Sequence, residues 1–276
     1  MEKSKYQPIG VFDSGFGGLT VLREIVKELP EYDFLYLGDN ARAPYGSRSF
    51  ETVYEYTLQC VKHLFDQGCH LVILACNTAS AKALRTIQQK DLPQLAPHKR
   101  VLGVIRPTTE IVGNYSKSRH VGVLGTSGTV SSGSYLVEIN KFFPDLKVYQ
   151  QACPMLVPLI ENNEFESEGA DFFIKEYVDL LMKQQKDIDA IILGCTHYPL
   201  IEEKIKKRLP LHVQLLSQGG IVAKGLKEYL QRHPEIEKEC SKQATVSFYT
   251  TDFSETFNKS ASLFYGKEVK STQVYL

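Results

Sequence analysis

The 276-residue chain carries 32 lysine and arginine residues against 32 aspartate and glutamate residues, and 43% of its residues are hydrophobic. This composition suffices for one large core or two ordinary ones, and the even charge excludes the broad basic surface of a nucleic-acid-binding protein. No apolar run approaches the length of a membrane span or signal sequence, so we expect a cytoplasmic protein that recognises a small ligand.

The first third of the chain alternates strands and helices. An apolar strand at residues 9–12 runs into a glycine-rich turn, and a helix with one apolar face follows and ends at Pro30. The other strands of this third are predicted at residues 34–37, 71–75 and 101–105, and its helices at 49–67 and 79–89. Such alternation predicts parallel strands.

A second cycle of the same kind follows. A strand at residues 121–124 ends in a glycine and hydroxyl turn at 125–132, which has the layout of the turn after the first strand. The later elements of this cycle are predicted as a helix at 135–143, a strand at 148–153, a helix at 168–186 and a strand at 190–193. Because matching turns recur at similar intervals, we interpret the two halves as a tandem repeat.

The predicted fold class is α/β, with two similar three-layer domains whose mostly parallel sheets are related by pseudo-two-fold symmetry. The tail is predicted to hold strands at 213–216 and 246–249 and helices at 221–230 and 253–265. We expect the tail to return to the first half. The first domain would then be discontinuous, at 1–102 plus 216–276, with the second at 103–215 and the active site in the cleft between them.

Two segments share one layout: LVILACNTAS at residues 71–80 and AIILGCTHYP at residues 190–199 each run from an apolar strand into a cysteine turn. Ligands of parallel α/β sheets bind beyond the carboxyl ends of the strands, so we expect Cys76 and Cys195 on opposite walls of the cleft. Thiols on opposite faces of a bound carbon suit removal of a proton from one side and delivery to the other, which inverts a stereocentre.

The residues around these cysteines suit that reaction. A thiol at the start of a helix is expected to have a lowered pKa, and Asp13 and His197 can take or return a proton beside the sulfurs. Neutral donors in the turns can hold a carboxylate and stabilise charge on its α-carbon; they are Ser14, Asn77, Thr78, Thr126, Thr129 and Thr196.

Each feature also has a plainer interpretation. A cysteine after an apolar strand is structural more often than catalytic, and the GFGG turn departs from the dinucleotide pattern GxGxxG because position 20 is Thr20. Cys195 and His197 have the chemistry of metal ligands, yet no zinc spacing completes the set. No metal or cofactor is therefore predicted.

Five motifs occur between residues 10 and 200: GVFDSGFGGLTV, GDNARAPYGSRS, ACNTAS, GTSGTVSS and GCTHYPL. Through them the chain resembles the cofactor-independent aspartate/glutamate racemase superfamily, and the glutamate racemases within it. The last third matches less distinctively, through LLSQGG and FYTTD. One departure is Arg106 before Pro107, where the family often has glutamate.

The resemblance implies interconversion of L- and D-glutamate without a cofactor, with Cys76 and Cys195 as the two bases, and use of D-glutamate in bacterial peptidoglycan. It implies that Asp13 assists Cys76, that His197 assists Cys195, and that the protein is a homodimer. The implied substrate contacts are Asp13, Ser14, Pro44, Tyr45, Gly46, Asn77, Thr78, Thr126, Thr129, Thr196 and His197, of which 44–46 form a closing loop. Asp39 and Glu161 match further acidic positions of the family.

Two other functions stay open. Pocket shape sets the length of the substrate, so an aspartate racemase or another isomerase of the superfamily is the nearest alternative. A catalytically silent amino-acid-binding protein is the alternative from another class, and the intact pair of cysteine motifs argues against it.

Overall fold

The computed structural model describes residues 7–276, and the polar start of the chain at residues 1–6 lies outside the described residues. The strands are β1 (Ile9–Asp13), β2 (Phe34–Gly38), β3 (Leu71–Leu74), β4 (Arg100–Gly103), β5 (His120–Gly125), β6 (Lys147–Ala152), β7 (Ala190–Gly194), β8 (Gln214–Leu216), β9 (Val246–Thr250) and β10 (Ser271–Gln273).

One to three α-helices lie in each connection between successive strands. They are α1 (Gly18–Glu28), α2 (Phe50–Asp66), α3 (Asn77–Lys82), α4 (Leu84–Thr86), α5 (Leu92–Leu95), α6 (Ile105–Thr109), α7 (Ser127–Ser131), α8 (Ser134–Phe142), α9 (Leu156–Glu161), α10 (Glu168–Gln184), α11 (Glu202–Lys206), α12 (Gln218–Arg232), α13 (Pro234–Glu237) and α14 (Ser254–Tyr265). Among the described residues, no helix combines the length and the apolar character needed to cross a membrane.

The strands form two sheets, with orders β10-β9-β2-β1-β3-β4 and β6-β5-β7-β8. Every strand pair within residues 7–276 is parallel, which confirms the predicted α/β class with two mostly parallel sheets. β9 and β10 return to the first sheet, whereas β8 pairs with β7, so the expected return of the tail to the first half is wrong for that strand. The domain boundaries stay a prediction.

The central strands are buried on both faces, as their continuous apolar sequences indicate. In β1, Val11 belongs to one core cluster and Phe12 to another. In β7, Ile191 belongs to the same cluster as Val11, whereas Ile192 lies in a third. One core cluster therefore contains side chains of both sheets, which holds their strand ends close together.

Two predicted elements differ from the structure. The helix expected at residues 79–89 is broken into α3, α4 and a π-helical segment at Ile87–Asp91. The strand expected to reach Ile105 ends at Gly103, and Ile105 begins α6 instead. A short buried apolar run fits a strand and a buried helix equally well. In the folded protein, tertiary packing favours the helix from Ile105 onwards. The short edge strand β10 was not predicted.

Candidate active site

The carboxyl ends of strands from both sheets meet around one cavity of about 130 Å³. Drug-sized ligands occupy sites of about 300–1,000 Å³, so this cavity suits a much smaller molecule. Most of the predicted site residues line it: Ser14, Pro44, Tyr45, Gly46, Cys76, Asn77, Thr78, Thr126, Cys195, Thr196 and His197. Asp13 and Thr129 are buried nearby but are not among the lining residues.

Cys76 follows β3 and caps the N-terminus of α3. Its sulfur accepts a hydrogen bond from the Ala79 amide at 3.4 Å and lies 3.3 Å from the Ser14 hydroxyl. Burial raises the pKa of the Cys76 thiol to about 12, and the charge of Asp13 acts in the same direction. The expected lowering of the pKa at a helix N-terminus is therefore wrong for Cys76, because desolvation of the sulfur outweighs the two donors.

Asp13 ends β1 and is almost completely buried. Its Oδ2 accepts a hydrogen bond from the Gly15 amide at 2.9 Å, while its Oδ1 has no hydrogen-bond partner within residues 7–276. Burial raises the pKa of Asp13 above its ordinary value, although the charge of His197 acts against this. A carboxyl with one free oxygen and a raised pKa is suited to exchanging a proton.

Cys195 follows β7, and His197 lies beside it. The His197 Nδ1 is 3.8 Å from the Cys195 sulfur, and its Nε2 is 2.9 Å from the Glu161 carboxylate. Burial alone lowers the pKa of His197, but the interactions with Cys195 and Glu161 outweigh it and raise the pKa to about 10. At neutral pH this histidine therefore carries a proton next to the sulfur.

The glycine turn after β1 packs directly against this second cysteine turn. A Cβ atom added at Gly17 would lie 2.5 Å from the His197 Nδ1, closer than real Cβ atoms come to a neighbour, and would also clash with the Thr196 hydroxyl. The Thr20 hydroxyl donates to the Thr196 carbonyl at 2.9 Å. Glycine at position 17 thus allows a turn of the first sheet to touch the imidazole of the second.

The loop at residues 44–46 is anchored at both ends. Before it, the carboxylate of Asp39 accepts hydrogen bonds from the Arg42 guanidinium at 2.7 Å and from the Tyr45 hydroxyl. At its other end, the carbonyl of Gly46 accepts a hydrogen bond at 2.8 Å from the amide of Gly128, which lies in the second half of the molecule. The loop is therefore held over the cavity by contacts with both halves of the molecule.

Hydroxyl groups from the two halves also meet. The Thr78 hydroxyl lies 3.0 Å from that of Thr126 and 3.4 Å from that of Thr129, and Thr126 donates to Thr129 at 3.1 Å. Thr126 caps α7 by accepting the Thr129 amide. Thr126 therefore lines the cavity, and the buried Thr129 contacts it through hydrogen bonds from outside the cavity wall.

Asn77, next to Cys76, is held by two buried partners that the sequence did not reveal. Its Oδ1 accepts a hydrogen bond from the Tyr135 hydroxyl at 2.7 Å, and its Nδ2 donates to the Gln218 Oε1 at 2.7 Å. Arg106, the departure noted in the sequence, does not line the cavity and instead pairs at 2.8 Å with Glu110, the residue directly after α6.

The geometry supplies two thiols around one small cavity, one from each sheet, with a histidine or a carboxyl group near each. In sequence comparison, the Asp/Glu/Hydantoin racemase family matches residues 9–224. The chain belongs to this family.

Several members of this family align with nearly the whole chain. A glutamate racemase from Persephonella marina is 40% identical over 262 residues, covering 95% of this chain and 94% of the relative. The solved structure of a glutamate racemase isoform from Bacillus anthracis matches with a TM-score of 0.89 at 35% identity, covering 99% of this chain and 98% of that one. A Francisella tularensis glutamate racemase in complex with D-glutamate matches with a TM-score of 0.86 at 34% identity, covering 98% of both chains.

Some lining residues of this racemase-family cavity were missed in the sequence. Cys153 and Pro154 follow β6, and Val157 and Pro158 lie on α9, which also carries Glu161, the acidic position named in the sequence. Cys153 and Pro154 could have been found, because they occupy the end of a predicted strand like the other site residues. Val157 and Pro158 carry no local signal, since only the packing of α9 brings them to the cavity.

Proposed function

We propose that the chain is a cofactor-independent glutamate racemase, which interconverts L- and D-glutamate. The observation that carries the proposal is one cavity lined by Cys76 from the first sheet and Cys195 from the second. Racemisation needs a proton removed from one face of a carbon and another delivered to the opposite face, and two thiols from different sheets supply one group per face. Relatives named as glutamate racemases support glutamate as the substrate.

In each direction, the thiolate of one cysteine takes the α-proton and becomes a thiol. The electron pair of the broken C–H bond stays on the α-carbon, and the thiol of the other cysteine delivers its proton to the opposite face. The second cysteine ends as the thiolate. The enzyme is then in the protonation state required for the reverse reaction, so one site serves both directions.

His197 and Asp13 manage the protons of the two thiols in this proposal. With a pKa raised to about 10, His197 holds a proton that it can share with the Cys195 sulfur at neutral pH. Asp13 has a free carboxyl oxygen and a raised pKa, and it serves Cys76 in the same way. Neither group bonds to the substrate carbon, and both set which thiol is the base.

The turns and the loop hold the substrate. Donors from the two halves, among them Ser14, Asn77 and Thr196, bind its carboxylate and amino groups, and the electrons left on the α-carbon are stabilised by those contacts. The loop at residues 44–46 closes over the ligand. We further infer that the protein acts in the cytoplasm as a homodimer and that its D-glutamate enters peptidoglycan.

Circular dichroism of L-glutamate and of L-aspartate, incubated separately with the protein and without pyridoxal phosphate or added metal, tests the proposal. We expect the glutamate signal to decay to zero and the aspartate signal to persist. In D₂O, deuterium should appear at the α-carbon of glutamate. Glutamate binding without exchange would instead indicate a silent binding protein, and decay of the aspartate signal alone would indicate an aspartate racemase.

A further inference from the structure

Gln218 is a buried glutamine that the proposed chemistry does not use, although it lies one side chain away from the cavity. Only 4% of its surface is exposed, and Asn77 and Tyr135 beside it are 2% and 0% exposed. The Gln218 Nε2 donates to the Tyr135 hydroxyl oxygen at 2.9 Å. With the two hydrogen bonds of Asn77 described above, this contact closes a ring of three side chains.

The ring has one direction. Asn77 donates to Gln218, Gln218 donates to Tyr135, and Tyr135 donates back to Asn77. Each member is both donor and acceptor, so reversal of one amide would place two donors or two acceptors face to face in a buried site. The ring therefore fixes the Asn77 amide in one orientation, using its Oδ1 and one N–H, while the second N–H takes no part in the ring.

Gln218 also joins the two places where the chain passes between the sheets. It begins α12, directly after β8 leaves the second sheet, and its Nε2 lies 3.2 Å from the carbonyl of Val104, directly after β4 leaves the first. The same nitrogen lies 3.2 Å from the Thr108 hydroxyl on α6. One carboxamide thus links both crossings to a residue that lines the cavity.

We propose that Gln218 is a positioning residue for substrate binding. Through its ring with Tyr135 it holds the Asn77 amide so that the second N–H of Asn77 meets the substrate carboxylate. Its contacts at both crossings fix the position of this ring relative to the two sheets. The inference rests on the proposed function. Glutamine suits this position because it supplies a donor and an acceptor on one planar group, which neither an aliphatic side chain nor a carboxylate provides.

The test measures KM and Vmax for glutamate in both directions for Gln218→Met and Tyr135→Phe. Methionine keeps the length of the side chain, and phenylalanine removes only one oxygen from a buried ring, so Tyr135→Phe covers the case in which the first variant fails to fold. We expect each change to raise KM by about 10-fold or more, because the buried partners of the lost hydrogen bond are left unsatisfied and Asn77 turns. Since both changes open the same ring, the double variant should resemble the single ones.

Thr108→Val is the matched control, since it removes a partner of Gln218 that lies outside the ring. Its KM should stay within about 2-fold of the KM of the unmodified protein, a smaller change than the one expected when a hydrogen bond of the ring is lost. A merely structural role predicts another pattern, because unfolded protein lowers Vmax and leaves KM unchanged. An unchanged KM in Gln218→Met and Tyr135→Phe, with Vmax following the folded fraction, would overturn the inference. Absence of racemisation by the unmodified protein would instead remove the proposed function on which it rests.

Discussion

His197 and Glu161 form an ion pair at the edge of the cavity, with 2.9 Å between the imidazole Nε2 and the carboxylate Oε1. The histidine side chain is 6% exposed and the glutamate side chain 22%. The pair therefore lies between solvent and the Cys195 sulfur, where the carboxylate can hold the imidazole in its protonated form.

Replacement of this carboxylate should shift the pH profile. Glu161→Gln removes one of the two groups that raise the pKa of His197, so the histidine will lose its proton at a lower pH. We expect kcat/KM to begin its decline on the alkaline side at lower pH than in the unmodified protein. Glu166→Gln, at an exposed glutamate paired with Lys204, is the matched control and should leave the profile in place. An unchanged pH profile in Glu161→Gln would show that the Glu161 carboxylate does not control the protonation of His197.

The same histidine should make stability depend on pH. Its pKa rises from 6.5 to about 10 on folding, so its contribution is complete below pH 6.5 and is lost as the pH rises towards 10. We expect the difference in unfolding free energy between the unmodified protein and His197→Gln to shrink between pH 6 and pH 9.5 in urea titrations. A difference that grows with pH would contradict the assigned charge of the folded-state imidazole.

Gly17→Ala should disrupt the contact between the glycine turn after β1 and the cysteine turn that holds Cys195 and His197. The added methyl group would lie 2.5 Å from the His197 Nδ1, so the imidazole must move relative to Cys195. A displacement of about 1 Å can lower a rate by about 100-fold, and we expect a loss of this order in the racemisation assay. Gly220→Ala is the control, because nothing lies within 4 Å of the added atom. Full activity in Gly17→Ala would show that the contact is dispensable.

Each thiol should be required on its own. Cys76→Ala and Cys195→Ala each remove one of two acid–base groups, and each should lower racemisation by at least about 100-fold. Cys240→Ala provides the control, since this buried cysteine does not line the cavity. Polarimetry of L- and D-glutamate with the three variants checks the prediction. Substantial turnover by both site variants would refute the two-thiol assignment.

Asp39→Asn should loosen the loop at residues 44–46. It removes the charge that pairs with Arg42 and weakens the acceptor for the Tyr45 hydroxyl. Asp39 is fully buried but Arg42 is partly exposed, so we expect a cost of about 1–3 kcal/mol, between the values for exposed and buried pairs. Urea unfolding would detect this loss, and KM for glutamate should rise. Asp179→Asn breaks an exposed pair with Lys175 and should change neither quantity. A stable Asp39→Asn variant with unchanged KM would show that the anchoring of the loop by Asp39 does not contribute to substrate binding.

The two cysteine turns could be predicted from the sequence because a local pattern carries them. An apolar strand followed by Cys76 or Cys195 fixes the end of the strand, and the parallel arrangement brings such ends together. The partners of Asn77 could not be predicted in this way. Tyr135 is 58 positions away and Gln218 is 141 positions away, and only tertiary packing brings them into contact.

The pKa of Cys76 could not be predicted from the sequence either, because it depends on burial. Its position at the start of a helix is visible in the sequence, but the desolvation that raises its pKa depends on the loops that cover it. The break after α3 is also a tertiary effect, since the local sequence favours one continuous helix. Sequence patterns therefore located the reactive groups, and the fold determined their charge states.

Both reactive sulfurs belong to residues that are only 5% exposed, and the backbone hydrogen bond between Gly46 and Gly128 closes the loop above them. We therefore expect that the loop opens before an amino acid binds and again after each turnover. Opening then sets an upper limit on the association rate, below the diffusion limit. In the proposed reaction, the closed loop would also keep bulk water from returning protons to the wrong face of the carbanion.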